Sequence, residues 1–161
     1  MVVNILNPQE VLKIAVKVEE NGKGLYGSLE GKAKDEKLKK IWQYLKEQEE
    51  LHRQTFQGML DNLDDYIAPE SSPGEHAGYL KAVASEYIFT QGLVEKKAKE
   101  LFTSDLEALD FAIHIEKESI LAYSELKNYL LAQKQAVLDK VISEEKEHLV
   151  QLVLIKDKVK K

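Results

Sequence analysis

A chain of 161 residues, 43% hydrophobic and 32% charged, has the length and composition of one soluble helical domain. Its net charge of −5 argues against a nucleic-acid-binding surface, which would be basic. The absence of cysteine excludes disulfides, zinc–thiolate sites and thiolate-ligated iron centres within the sequence. No apolar run approaches the ~20 residues of a membrane span, and no signal-peptide profile opens the chain, so we expect a cytoplasmic protein.

Proline placement indicates a first pair of helices. Asn7 and Pro8 form an N-cap followed by proline at the first helical position, which predicts a helix over residues 8–30. Asp35 caps a second helix over residues 35–63. Their apolar stripes, at helical three-and-four spacing, contain Val11, Ala15, Val18 and Leu29 in the first helix and Leu38, Ile41, Leu45, Phe56, Met59 or Leu60, and Leu63 in the second.

Residues 64–104 are expected to be a long crossover. Their first part is polar and contains Pro69 and Pro73, which is typical of a loop. A short amphipathic helix is expected around residues 75–89. A crossover of this length can traverse a helix bundle from end to end.

A second helix pair follows the crossover. Ser104 and Glu107 form a capping box for a third helix over residues 105–128. A fourth helix is predicted over residues 135–159, and the turn before it is placed only by analogy with the first pair. The whole sequence is therefore predicted to be a single all-α domain, a four-helix bundle of two antiparallel hairpins, in which helices two and three run parallel.

Two copies of one pattern place acids and imidazoles on the apolar stripes of these helices. In each copy a Glu follows an Ala by four residues and precedes a Tyr by seven, and a Glu-x-x-His pair comes 30 or 29 residues after that Glu. The copies are Ala15, Glu19, Tyr26, Glu49 and His52, and Ala112, Glu116, Tyr123, Glu145 and His148.

The spacing predicts that the acids and imidazoles meet at one level. Residues equidistant from the turn of an antiparallel hairpin lie at the same height, and the midpoints of Glu19 with Glu49 and of Glu116 with Glu145 fall inside the two turns. Carboxylates in an apolar interior need compensation, and two divalent cations cancel the charge of four of them. Oxygen and nitrogen ligands favour two iron ions, or manganese, with zinc left open.

The segments AVKVEENGKGLY, EELH, AIHIEKESILAY and EKEH resemble the rubrerythrin-type branch of the ferritin-like superfamily, and the resemblance covers essentially the whole chain. It implies a ferritin-like four-helix bundle in which Tyr26 and Tyr123 hydrogen-bond to ligand carboxylates, with no catalytic residues beyond the metal ligands. The implied ligands are Glu19, Glu49, His52, Glu116, Glu145 and His148.

Two features depart from the rubrerythrin pattern. Rubrerythrins carry a further Glu three residues after the third-helix ligand, where this chain has Ser119. They also usually carry a rubredoxin-type centre, which needs cysteines. The resemblance therefore does not imply peroxide reduction through the family's usual ligand exchange. Nor does it imply an electron-entry centre within this chain.

The resemblance favours a non-haem di-iron oxidoreductase that reduces peroxide or oxygen with an external electron donor. The alternative is a metal-binding bundle without turnover, or an iron-handling protein of ferroxidase type. A small oxidant is the expected partner, nucleic acid and membrane are not, and homodimerisation is a superfamily-level expectation.

Several acids and histidines near the repeated pattern are not expected to be metal ligands. Glu20, Glu50 and Glu144 adjoin the selected acids and are expected to face water. His114 lies about 200° round the helix from Glu116 and His76 lies in the crossover, so neither is expected to bind metal.

Gly22, Gly24 and Gly27 lie inside the first helix, where each costs roughly 1 kcal/mol relative to Ala. Gly22 is one turn from Glu19, on the side of the site. Two explanations stay open: the missing side chain leaves space for an oxidant beside the metals, or it allows close helix packing or a local kink.

Overall fold

The computed structural model describes residues 8–66 and 102–161, in which every element is a helix. The observed bounds of the four long helices lie within two residues of the predicted ones. The capping Asn7 and the short helix expected at residues 75–89 lie outside the described residues. The elements are α1 (Pro8–Lys32), α2 (Glu36–Asp61), α3 (Leu63–Tyr66), α4 (Asp105–Leu126) and α5 (Gln135–Val159), with short 3-10 turns at Lys127–Tyr129 and Ala132–Lys134 between the last two.

Side-chain caps fix where two of the long helices begin. The Asp35 carboxylate accepts hydrogen bonds from the backbone N–H groups of Lys37 (2.8 Å) and Leu38 (3.0 Å) at the start of α2. The Ser104 hydroxyl accepts from the Glu107 N–H (3.3 Å) at the start of α4. Glu107 reaches back to the N–H of Thr103 (3.0 Å), one residue earlier than an ideal capping box. Both predicted caps are therefore present.

The helices enclose two apolar clusters, one towards each end of the bundle. The Phe56 core contains the start of α1, the end of α2, the end of α4 and the start of α5. The Trp42 core contains the opposite ends of the same four helices. Each hairpin is therefore antiparallel, while α2 and α4 run parallel, which is the one-long-crossover arrangement predicted from the sequence.

Trp42 is a core residue that the sequence stripes did not include. Its side chain is 2% exposed, and its ring stacks on Tyr26 with 5.8 Å between centroids and 12° between planes. This contact joins α2 to α1 directly beside the repeated acids. None of the helices within residues 8–66 and 102–161 has the length and apolar character needed to cross a bilayer.

Two leucines of α2 provide a matched test of the core. Leu45 is fully buried and Leu51 is 54% exposed. We expect Leu45→Ala to lower the free energy of unfolding by about 2–5 kcal/mol, because it leaves a cavity in the Trp42 core. Leu51→Ala should change it by no more than about 0.5 kcal/mol. Urea denaturation of the metal-free proteins measures both; equal losses would contradict this packing.

Candidate metal centre

A layer of buried polar side chains lies between the Phe56 core and the Trp42 core. It consists of the four acids and two imidazoles of the repeated pattern, and each is at most 3% exposed. Every one of the four long helices contributes to this layer. The six side chains are Glu19 of α1, Glu49 and His52 of α2, Glu116 of α4, and Glu145 and His148 of α5.

These six side chains form two overlapping groups, in each of which four ligand atoms lie within 4.8 Å of one another. One group is Glu19, Glu49, His52 and Glu145, and the other is Glu49, Glu116, Glu145 and His148. Glu49 and Glu145 belong to both. The structure therefore brings together all six residues that the sequence pattern selected, and it places two carboxylates between two candidate ion positions.

Both imidazoles direct Nδ1 towards the centre of this layer. Nδ1 of His52 lies 3.1 Å from Oε1 of Glu145 and 3.7 Å from Oε2 of Glu19. Nδ1 of His148 lies 3.1 Å from Oε2 of Glu145 and 3.6 Å from Oε2 of Glu116. The two rings stack with centroids 5.8 Å apart. Each imidazole thus has one nitrogen placed among carboxylate oxygens, where a cation would be bound.

Two buried tyrosines connect the hairpins through the acids. The Tyr26 hydroxyl of α1 donates to Oε1 of Glu116, and the Tyr123 hydroxyl of α4 donates to Oε1 of Glu19. Burial, followed by the nearby Glu116 carboxylate, raises the pKa of Tyr26 well above its usual range, so its hydroxyl stays protonated. Each tyrosine holds an acid of the other hairpin, a pairing that the sequence spacing does not specify.

Burial has a strong effect on the pKa values of the carboxyl groups in the layer. Burial, followed by repulsion from Glu145, raises the pKa of Glu116 to about 8. Burial and the neighbouring carboxylates raise the pKa of Glu49 well above its usual range, and burial also raises that of Glu19. For Glu145, burial is outweighed by hydrogen bonds from the imidazoles, and its pKa falls below the usual range.

The pKa values of both imidazoles are raised, which favours their charged form. Burial lowers the pKa of His52, but the hydrogen bond to Glu145 and the nearby Glu19 carboxylate outweigh it and raise the pKa to about 11. The same balance, with Glu116 and Glu145 as partners, raises the pKa of His148 to about 9. Without metal, these shifts favour the charged form of both imidazoles and the protonated form of Glu116 at neutral pH.

Unsatisfied polar atoms at the site include two carboxylate oxygens that bound cations would satisfy. Oε2 of Glu19, Oε2 of Glu116 and Nε2 of His148 are buried without a hydrogen-bond partner among the described residues. Such atoms are rare in folded proteins because leaving them unpaired costs about 1–3 kcal/mol each. The two carboxylate oxygens among them lie beside the Nδ1 atoms, where a bound ion would satisfy them.

The other acids and histidines near the repeated pattern are those not expected to bind metal. His114 and Glu20 are exposed, as expected, and Glu50 forms a partly exposed ion pair with Arg53 at 2.8 Å. Glu144 does not simply face water, because Oε2 of its carboxylate lies 2.9 Å from Nε2 of His52. His76 lies outside the described residues.

The space beside Gly22 is occupied by a side chain of the site. A Cβ atom added at Gly22 would collide with Oε2 of Glu49 and lie 3.0 Å from its carboxyl carbon. A Cβ at Gly24 would meet nothing within 4 Å among the described residues, and one at Gly27 would make an ordinary 3.5 Å contact with Lys46. Close packing therefore explains Gly22, and the idea that it opens space for an oxidant is wrong.

Comparison with known proteins agrees with this geometry. A family model described as rubrerythrin matches residues 10–154. The chain belongs to the rubrerythrin family. No curated protein sequence matches it.

This rubrerythrin-family chain also resembles a solved structure from Thermotoga maritima, described as a ferritin-like diiron-carboxylate protein. The two are 28% identical, the match covers 94% of this chain and 95% of the other, and the TM-score is 0.72. The predicted ferritin-like four-helix bundle is thereby confirmed. The family and the buried Glu and His groups together indicate a di-metal site.

The charge state of the metal-free site gives a pH dependence. Folding raises the pKa of His52 from 6.5 to about 11, that of His148 from 6.5 to about 9 and that of Glu116 from 4.5 to about 8. A group with a raised folded pKa stabilises the fold below its unfolded pKa and loses that contribution as the pH rises through the folded value. We therefore expect the Tm of the metal-free protein to fall between pH 5 and pH 9.

Added divalent cation should reverse this trend, because a metal ion binds the deprotonated forms of these ligands. The increase in Tm caused by saturating Zn²⁺ should grow over the same pH range. Thermal unfolding followed by circular dichroism at each pH, with Zn²⁺ or with a chelator, measures both slopes. A metal-free Tm that rises with pH would contradict the assigned charges.

Gly22 and Gly24 allow a matched substitution within α1. We expect Gly22→Ala to weaken divalent metal binding by at least about tenfold, because the new methyl group displaces the Glu49 carboxylate. Gly24→Ala should leave binding unchanged and stabilise the helix by about 0.5–1 kcal/mol. Calorimetric titration and chemical denaturation measure the two effects. Unchanged binding in the Gly22 variant would show that Glu49 is not required at that place.

Proposed function

We propose that this chain is a di-iron carboxylate oxidoreductase that reduces peroxide or oxygen with electrons from an external donor. The observation that carries the proposal is that two buried four-residue ligand groups share Glu49 and Glu145. Shared carboxylates suit a pair of adjacent ions rather than two separate sites. The rubrerythrin-family membership supports iron as the metal.

The six side chains supply the charge and the atoms that two ions need. Glu19 and His52 would hold one ion and Glu116 and His148 the other, while Glu49 and Glu145 belong to both ligand groups. Four carboxylates balance two divalent cations, so the bound site is neutral inside an apolar bundle. Six protein groups also leave coordination positions open for a small oxidant, as in other non-haem iron sites.

The chemistry that a bound pair of ferrous ions supplies is two electrons, one from each ion, for cleavage of an O–O bond. The protein contributes a fixed and dry environment. Leu12, Leu45 and Leu138, in the apolar cores on either side of the polar layer, are fully buried, and each of the six polar side chains is at most 3% exposed.

The tyrosines hold the two terminal carboxylates in position. Tyr26 fixes Oε1 of Glu116, and Tyr123 fixes Oε1 of Glu19, while Oε2 of each acid has no hydrogen-bond partner among the described residues. One oxygen of each carboxylate is thereby anchored, and the other is available to an ion. This arrangement keeps both acids aimed at the centre when the charge of the site changes during turnover.

The residue three positions after Glu116 shapes the reaction that we propose. Rubrerythrins carry a second carboxylate there, whereas Ser119 of this chain is 3% exposed at that position of α4. Glu116 is the one residue of α4 in the two ligand groups found within the described chain. An exchange of one α4 carboxylate for another would therefore have no second carboxylate at this position of the chain.

The electrons must come from another molecule in this proposal. The sequence has no cysteine for a thiolate-ligated iron centre that could deliver them. The existence of an external donor, a cytoplasmic location and dimerisation stay predictions.

Anaerobic reconstitution with ferrous iron tests the proposal. We expect two irons per chain by elemental analysis, and faster peroxide consumption by the loaded protein than by the same amount of free iron. Glu49→Gln should lower both iron content and peroxide consumption, by at least about tenfold for the latter, because it removes a ligand common to both groups.

Glu50→Gln is the matched control. Glu50 is adjacent to Glu49 but is 25% exposed and pairs with Lys23 and Arg53, so its substitution should leave iron content and peroxide consumption unchanged. Loaded protein that oxidises ferrous iron with oxygen but does not consume peroxide would favour the iron-handling alternative. Loaded protein that does neither faster than free iron would overturn the proposal.

A further inference from the structure

The His52 ring is held at both of its nitrogens. Nδ1 faces the polar layer, 3.1 Å from Oε1 of Glu145. Nε2 lies 2.9 Å from Oε2 of Glu144, a carboxylate that belongs to neither ligand group. The ring of α2 is therefore fixed between two consecutive acids of α5.

Glu144 lies at the boundary between the polar layer and solvent. Its side chain is 31% exposed, while His52 is 2% exposed. Its other oxygen is 3.8 Å from Nζ of Lys140, whose side chain is 78% exposed. A surface ion pair of that length and exposure contributes little, so His52 is the partner that defines the position of Glu144.

Among the described residues, no carboxylate supports His148 in the same way. Its Nδ1 lies 3.1 Å from Oε2 of Glu145, but its Nε2 is buried and has no hydrogen-bond partner among the described residues. The internal repeat explains the difference, since the residue before Glu145 is Glu144, whereas the residue before Glu49 is Gln48. The chain thus has an amide in the first copy where it has a carboxylate in the second.

This difference has a chemical consequence for metal binding. An imidazole that binds an ion through Nδ1 keeps its proton on Nε2, and a carboxylate that accepts this proton fixes the tautomer and the ring plane. It also makes Nδ1 a stronger donor. His52 meets this requirement through Glu144, and His148 lacks such a carboxylate among the described residues.

We propose that Glu144 is a positioning residue that makes the two ion positions unequal, so that the group containing His52 binds its ion more tightly than the group containing His148. The inference rests on the proposed di-metal centre and deepens it. It predicts an order of loading: the ion bound by Glu19, Glu49, His52 and Glu145 enters first.

Titration of the metal-free protein with Zn²⁺ alone tests the inference. We expect two binding steps of different affinity in the unmodified protein. Glu144→Leu removes the acceptor and should weaken the tighter step by about 10–100-fold. Glu144→Gln keeps the shape and a weaker acceptor, so its effect should be smaller, and it provides a folded variant if the leucine variant fails to fold.

Glu147→Leu is the matched control, because Glu147 is an exposed acid of the same helix and should leave both steps unchanged. A spectroscopic measurement separates positioning from general structure. Nitrogen-15 NMR of the Zn²⁺-loaded protein should show a hydrogen-bonded Nε2–H on His52 that is lost in Glu144→Leu, while His148 is unaltered.

The outcomes distinguish this inference from the metal centre on which it rests. Failure of the unmodified protein to bind two ions would remove the centre itself. Two ions bound with equal affinity, or a tighter step that survives Glu144→Leu, would leave the centre in place and overturn the role of Glu144. Equal weakening by Glu147→Leu would also overturn it, since the effect would then be one of overall charge.

Discussion

The structure depends on four carboxyl groups and two imidazoles enclosed between two apolar cores. Each of the six is at most 3% exposed. Moving a lone carboxylate into such surroundings is so unfavourable that the group normally takes up a proton or acquires a partner. Burial raises the pKa of three of the acids, and the neighbouring carboxylates raise the pKa of both imidazoles, which favours their charged form beside Glu145. A layer built in this way stabilises the fold only with compensating positive charge.

The packing around the layer serves to keep it in one arrangement. Trp42 stacks on Tyr26, and Tyr26 in turn donates to Glu116 of the other hairpin. Gly22 gives the Glu49 carboxylate the room that any larger residue would take. Apolar and polar contacts therefore act together, since the same side chains that fill the core also orient the acids. The helix interior contains a glycine at this place despite its cost because the site requires it.

The sequence predicted the helices and the six acids and imidazoles for a specific physical reason. Helical periodicity marks the buried face, and charged residues on a buried face stand out when the same spacing occurs twice. Contacts between hairpins could not be predicted in that way, because they depend on how the two halves are turned towards each other. The donation from Tyr123 to Glu19 and the contact of Glu144 with His52 are of this kind.

Helical periodicity also could not predict the roles of Gly22 and Trp42. Periodicity placed Gly22 on the site side of α1, but only the position of Glu49 on the neighbouring helix decides between an open space and a tight contact. Trp42 lies next to Ile41 of the predicted stripe, and its burial follows from the partner ring of Tyr26. The role of such residues depends on contacts with a neighbouring helix. The spacing of residues along one helix carries no information about those contacts.

Neither hairpin carries a complete ligand group by itself. The group with Glu19 and His52 needs Glu145 from the second half of the chain, and the group with Glu116 and His148 needs Glu49 from the first. Cation binding therefore requires that the two hairpins pack against each other, because one hairpin alone provides only part of each ligand group. A nascent chain would acquire its full coordinating set only after both halves have been synthesised and have closed on each other.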